Sequence, residues 1–160
     1  MFATRVGAYP KRVLLAVLMV AGLMSAVLAP VAAPSAHATV VGTAGLFVPV
    51  QGRLVDSRVP TGTTLAPFAA MTARTIQVTG QAGVPDSGVS AVMATFTAVD
   101  PSVAGQLAAG NADGDLSGVM RYEAGGPTSN SSIVMVSGTG QINVQATTPT
   151  NVVVDIQGYY

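Results

Sequence analysis

From residue 46 to residue 157 the chain is a succession of short uncharged runs rich in Val, Ile, Thr and Ala, each cut off by Gly, Pro, Asp or Ser. Runs of this kind suit pleated, half-buried backbone, and the residues between them are turn formers. Stretches with a 3.6-residue apolar period and capping residues are absent, so helices are not expected. The strand candidates are residues 46–50, 72–79, 89–99, 118–122, 131–137, 141–146 and 151–157. Turn chemistry separates them at Gly80-Gln81-Ala82-Gly83, Asp100-Pro101-Ser102, Asp113-Gly114, Gly125-Gly126-Pro127 and Gly138-Thr139-Gly140. About seven or eight short strands in one domain point to an all-β fold of two packed antiparallel sheets, a β-sandwich of jelly-roll or related Greek-key type.

Two runs indicate depth. In Gln141-Ile142-Asn143-Val144-Gln145 the apolar and polar residues alternate strictly, which predicts a strand with one face in the core and one in water. Residues 89–99 carry no charge over eleven positions, which predicts a central strand covered on both faces. Residues 131–137 and 141–146, joined across Gly138-Thr139-Gly140, read as a hairpin. Phe47, Phe68 and Phe96 are expected in the core.

The N-terminal segment is of another kind. Arg5, Lys11 and Arg12 precede an uncharged apolar run from Val13 to Ala29, and Ala36-His37-Ala38 fits a small-residue cleavage site. Residues 1–38 therefore read as a secretory signal peptide. The other reading is an uncleaved anchor, since those 17 apolar residues reach the lower end of the spanning range. Pro30 and Pro34 interrupt the segment and no basic cluster follows it, which favours cleavage. Removing 38 of the 160 residues leaves 122, starting with a short arm at Thr39 and a single domain over residues 47–160.

Those 122 residues contain no His, Lys, Cys or Trp. Most side chains used as nucleophiles, as general bases near neutral pH, or as soft metal ligands are thereby missing. Four arginines stand against seven acids, a net charge of −3. The basic surface that nucleic acid or an anionic membrane requires is not there, so neither partner is expected. Without cysteine no disulfide can staple an exported fold, and stability rests on burial.

Three blocks stand in order along the chain: Pro49 with Arg53-Leu54-Val55-Asp56-Ser57-Arg58, then Gly83-Val84-Pro85 to Val92, then Val152 to Tyr160. Together they resemble a β-domain family common in secreted proteins of high-GC Gram-positive (actinobacterial) bacteria. Pro49, followed by Arg53-Leu54-Val55-Asp56-Ser57-Arg58, resembles that family's opening "P-x-RLLDTR". The run from Gly83-Val84-Pro85 to Val89-Ser90-Ala91-Val92 is similar to its "GVPxxxVSAVVLNVT" strand, and Val152-Val153-Val154-Asp155-Ile156-Gln157-Gly158-Tyr159-Tyr160 to its closing "VIVDVxGYF". Tyr122 to Gly126 with Ser129-Asn130 resembles the "NYxAGQTxAN" block between them. The resemblance covers residues 47–160 and implies a secreted β-domain, alone or appended to secreted hydrolases, with no catalytic role to carry over. The chain departs from the pattern at Ala94-Thr95-Phe96-Thr97, at Gly105-Gln106-Leu107 and at Arg121.

Four candidate site residues, Arg53, Asp56, Arg58 and Asp155, lie in the opening and closing blocks. Asp56 and Arg58 share a face of an extended segment, and Asp155 interrupts an apolar strand, where a carboxylate demands a partner. An arginine satisfies one with paired hydrogen bonds. The expected arrangement is a structural clasp between the first and last strands, with a polar ligand cradle as the alternative. Asn111, Asp113 and Asp115 around Gly114 resemble part of an oxygen-rich calcium loop, the one cofactor candidate, but the twelfth position counted from Asn111 is Tyr122 rather than an acid. Asn-Asp-Gly sequences are also ordinary turns. Tyr159 and Tyr160 are either a stacking platform for sugar or the anchor of the last strand.

The expectation is a secreted protein, free outside the cell or held at the cell wall. It acts as a non-enzymatic binding module that contacts a cell-wall or other extracellular polymer, or a second secreted protein, through loops and a β-edge. The alternative is a structural subunit of a secreted or surface assembly, in which a strand edge or the arm Thr39 to Gly45 pairs with a neighbour. A carboxylate-dependent glycan hydrolase ranks third, because most of the acids sit in turn-like contexts.

Overall fold

The computed structural model describes residues 45–160, and what the sequence predicts for residues 1–44 lies outside the described residues. Within them there are eight strands and no helix: β1 (Val48–Asp56), β2 (Arg74–Gln77), β3 (Ala91–Val99), β4 (Gly105–Asn111), β5 (Ser117–Tyr122), β6 (Thr128–Met135), β7 (Gln141–Ala146) and β8 (Asn151–Tyr159). They form two four-stranded sheets, β1-β8-β3-β6 and β2-β7-β4-β5. All pairings are antiparallel. The pairing is nested, β4 with β5, β3 with β6, β2 with β7 and β1 with β8, as if one long hairpin had been rolled up. This is the jelly roll, the more specific of the two topologies the sequence suggests.

Alternation along the strands builds the core. Val92, Ala94, Phe96 and Ala98 of β3 face inward with Val152, Val154 and Ile156 of β8, against Ile142 and Val144 of β7 and Leu107 of β4. Phe68, from the β1–β2 connection, is fully buried among them. Each of the Val, Leu, Ile and Phe side chains among them contributes about 1.5–3 kcal/mol by leaving water. Arg74 lies over the Phe68 ring at 4.2 Å and donates to the carbonyls of Thr64, Ala66 and Pro67, which fastens the connection. Burial lowers the Arg74 pKa from its ordinary value.

Four sequence-based expectations are corrected. The turn at Gly138-Thr139-Gly140 forms, with Gly140 at φ +80° donating to Ser137, yet it joins no hairpin: β6 belongs to one sheet and β7 to the other. β4 forms where the sequence predicts no strand: Gly-Gln-Leu-Ala-Ala-Gly-Asn has little strand propensity, and burial of Leu107 and Ala109 fixes it. β3 is central, but only its inner face is covered, and Met93, Thr95, Thr97 and Val99 are half-buried. Phe47 is not core: it is 41% exposed.

Candidate functional site

The opening and closing blocks lie side by side. β1 and β8 pair so that Arg53 stands directly opposite Asp155. The register then shifts between Arg53 and Val55, a bulge that seats both Leu54 and Val55 in the core. The extra residue returns Asp56, three positions on, to the same outer face as Arg53.

Arg53 donates from Nε to Asp155 Oδ1 at 2.9 Å and from Nη2 to Oδ2 at 3.2 Å, a forked pair across the two strands. Its Nη1 reaches Asp56 Oδ2 at 3.3 Å. Arg58 grips the Asp56 carboxylate from the other side, Nε to Oδ1 at 2.9 Å and Nη2 to Oδ2 at 2.8 Å, while the Arg58 amide donates to Oδ1 at 3.1 Å. All four predicted residues thus join in one chain, Asp155–Arg53–Asp56–Arg58. Asp56 is buried, whereas both arginines keep nearly half of their side-chain surface in water. The Arg58 hydrogen bonds hold the Asp56 carboxyl at about 2, against the opposing effect of its burial. Pairing with Asp155 raises the Arg53 pKa, and pairing with Asp56 raises that of Arg58.

The clasp continues across the sheet as a hydroxyl ladder. Asp155 faces Thr95 of β3, which faces Ser131 of β6, and the Thr95 and Ser131 hydroxyls are 2.8 Å apart. One step along, Thr97 and Ser129 meet at 2.7 Å. Gln157 donates to Thr95 Oγ1 at 3.2 Å.

Toward the far end of the same face the chemistry turns apolar. A bulge at Gln157 places Gly158 opposite Met93, which in turn faces Ile133. The Phe47 ring lies on Gly158, where a Cβ would come within 2.3 Å of it. Phe47 and Tyr160 pack with ring centroids 5.3 Å apart at 48°. Ile133 and Met135 are 57% and 60% exposed. The result is a strip from Phe47 and Tyr160 through Met93 to Ile133 and Met135, crossing the face beside the hydroxyl ladder.

The two terminal tyrosines separate. Tyr159, in register with the fully buried Val92, packs against the core, while Tyr160 joins Phe47. Asn111, Asp113 and Asp115 form a turn: Asn111 Oδ1 accepts the Asp113 amide at 3.0 Å, and the Gly114 amide donates to the Asn111 carbonyl at 3.3 Å. Among the described residues no three His, Cys, Asp or Glu side chains converge as a metal site would require. A cavity of about 230 Å³, lined by Thr79, Asp86, Ser87, Ser137 and Thr139 among others, includes none of the predicted site residues.

The apolar strip is absent from the site that the sequence predicts. Met93, Ile133 and Met135 sit at alternate positions of uncharged strands, so composition alone does not say which face they take; the signal lay in Val92 and Val134 being the better core residues. The chain matches no known family profile and no curated protein.

Proposed function

We propose that this chain is an exported, non-enzymatic binding module, and that the outer face of β1-β8-β3-β6 meets a neutral extracellular glycan of the cell wall. The observation that carries the reading is the half-exposed Phe47–Tyr160 pair fixed over Gly158 beside a ladder of hydroxyls and carboxylate–guanidinium groups. Sugars present apolar C–H faces edged by hydroxyl groups, and such a surface offers partners for both. The family resemblance of the opening and closing blocks supports export. Binding is preferred to hydrolysis because a glycosidase needs one carboxyl held protonated near neutral pH, and the clasp pulls Asp56 in the other direction. No cofactor enters the proposal.

The test is retention of the purified protein on isolated cell wall and, in parallel, on secreted proteins from the same culture, with bound material identified by mass spectrometry. Saturable retention on protein-free wall supports glycan recognition. Recovery of one stoichiometric protein partner without wall binding refutes it in favour of a subunit of an assembly.

A further inference from the structure

The two sheets leave four edge strands, and three are blunted. β1 carries Pro49 and two register shifts, and Thr61 accepts its Asp56 amide. β2 has only four residues. β5 has a register shift against β4 and carries the exposed Arg121. β6 has none of these devices: its eight residues, Thr-Ser-Asn-Ser-Ser-Ile-Val-Met, hold no charge, proline or glycine and pair with β3 without a shift. A long, straight, uncharged edge is a template for another strand.

Among the described residues no further strand pairs with the outer rim of β6, and the direction of its unpaired hydrogen-bonding groups can be read off. The Val136 amide bonds Ser90, so backbone groups at even positions of β6 point to β3. Antiparallel alternation then turns the N–H and C=O of Ser129, Ser131, Ile133 and Met135 to the open rim. These are also exposed side chains. An isologous two-fold puts like surface against like, so a charged strand would meet its own charge, and β6 has none to repel. β6 itself brings no charge to such a contact, and Asp115, which lines a hollow with Ile133 and Met135, is an acid beside this rim.

We propose that β6 pairs antiparallel with β6 of a second copy about a two-fold at Ser132, joining the two β1-β8-β3-β6 sheets into one of eight strands. That register sets Ser131 against the other copy's Ile133, and Ser129 against its Met135, and uses every free group on the rim. It also makes Ser132 face its own counterpart as a non-hydrogen-bonded pair, about 4.5 Å between Cα atoms, which is disulfide range. The proposal stands independently of glycan recognition, since its readout is mass rather than retention.

The chain contains no cysteine, so a single introduced one reports cleanly. The full-length gene is expressed in an exporting host and the protein purified as the host processes it. Sedimentation equilibrium is expected to give a monomer–dimer equilibrium, Ser132→Cys a disulfide-linked dimer on oxidation, and Ser131→Cys, displaced from its counterpart, none. Ile133→Lys, at an exposed position, is expected to yield a folded monomer. A wild-type monomer at every concentration, equal cross-linking of both cysteine variants, or a dimer that persists in Ile133→Lys overturns the proposal. If Ser132→Cys does not fold, Ile133→Lys alone decides.

Discussion

At the scale of single residues the clasp divides into two unequal halves. Arg53 and Asp155 meet in water, and exposed pairs of this kind contribute about 0–1 kcal/mol. Asp56 is buried and collects donors from two arginines and one amide, where charged hydrogen bonds contribute about 1.5–3 kcal/mol each when their partner is lost. Asp56→Ala should therefore destabilise by about 2–4 kcal/mol in chemical denaturation, and Asp155→Ala by less than about 1 kcal/mol. The pH dependence follows from the same carboxylate. Its folded value is depressed from 3.8 to about 2, so its stabilisation is present above 3.8 and drains away as pH falls toward 2. The part lost is on the order of 2 kcal/mol. A folding-stability profile over that acid window should flatten in Asp56→Asn; a slope equal to that of the wild type would remove Asp56 as its source. These four residues were legible in the sequence because a charge inside an apolar run demands a partner. Phe47 was not, because hydrophobicity does not say whether a ring at a strand's entry turns inward or lies on a glycine.

At the scale of elements, the strand runs were legible wherever β-branched residues alternate, as in β7, or cluster, as in β8, and failed where packing overrides propensity, as in β4. The β6–β7 connection departs from the predicted hairpin for a further reason: glycine licenses the turn, but nothing local says whether the next strand stays in the sheet or crosses to the other. The bulges at Leu54 and Gln157, also invisible in the sequence, build the site by returning Asp56 to the outer face and clearing Gly158 for Phe47. A side chain at 158 would collide with both the ring and the Val48 carbonyl, 2.6 Å from the added Cβ. Gly158→Ala is expected to cost about 1–3 kcal/mol in chemical denaturation and to abolish the Phe47–Tyr160 ring contact, with loss of their inter-ring NMR cross-peaks as the check. The β4–β5 turn is closed by its own hydrogen bonds, with Asn111 Oδ1 already engaged. Added calcium should accordingly leave the thermal midpoint where it is; a saturable rise would assign Asn111, Asp113 and Asp115 to a cation.

At the scale of the molecule, nested pairing brings the first and last strands together beside β3, so one face combines the chain's two most distinctive blocks with a strip of exposed rings and aliphatic side chains. The all-β sandwich was legible from the density of strand and turn signals, while the jelly-roll order depends on long-range pairings that no local pattern encodes. Glycan recognition is proposed for this face. Its most direct test is a binding isotherm on protein-free cell wall for the wild type beside Phe47→Ala and Tyr160→Ala. Both rings are only partly exposed and pack on each other, so a denaturation curve for each variant is recorded beside the isotherm to separate lost binding from lost stability. Saturable wild-type binding is expected, with about a tenfold loss of affinity in each variant, the equivalent of roughly 1.4 kcal/mol, and the fold retained. Wild-type affinity in both variants, or no saturable binding by the wild type, would contradict it.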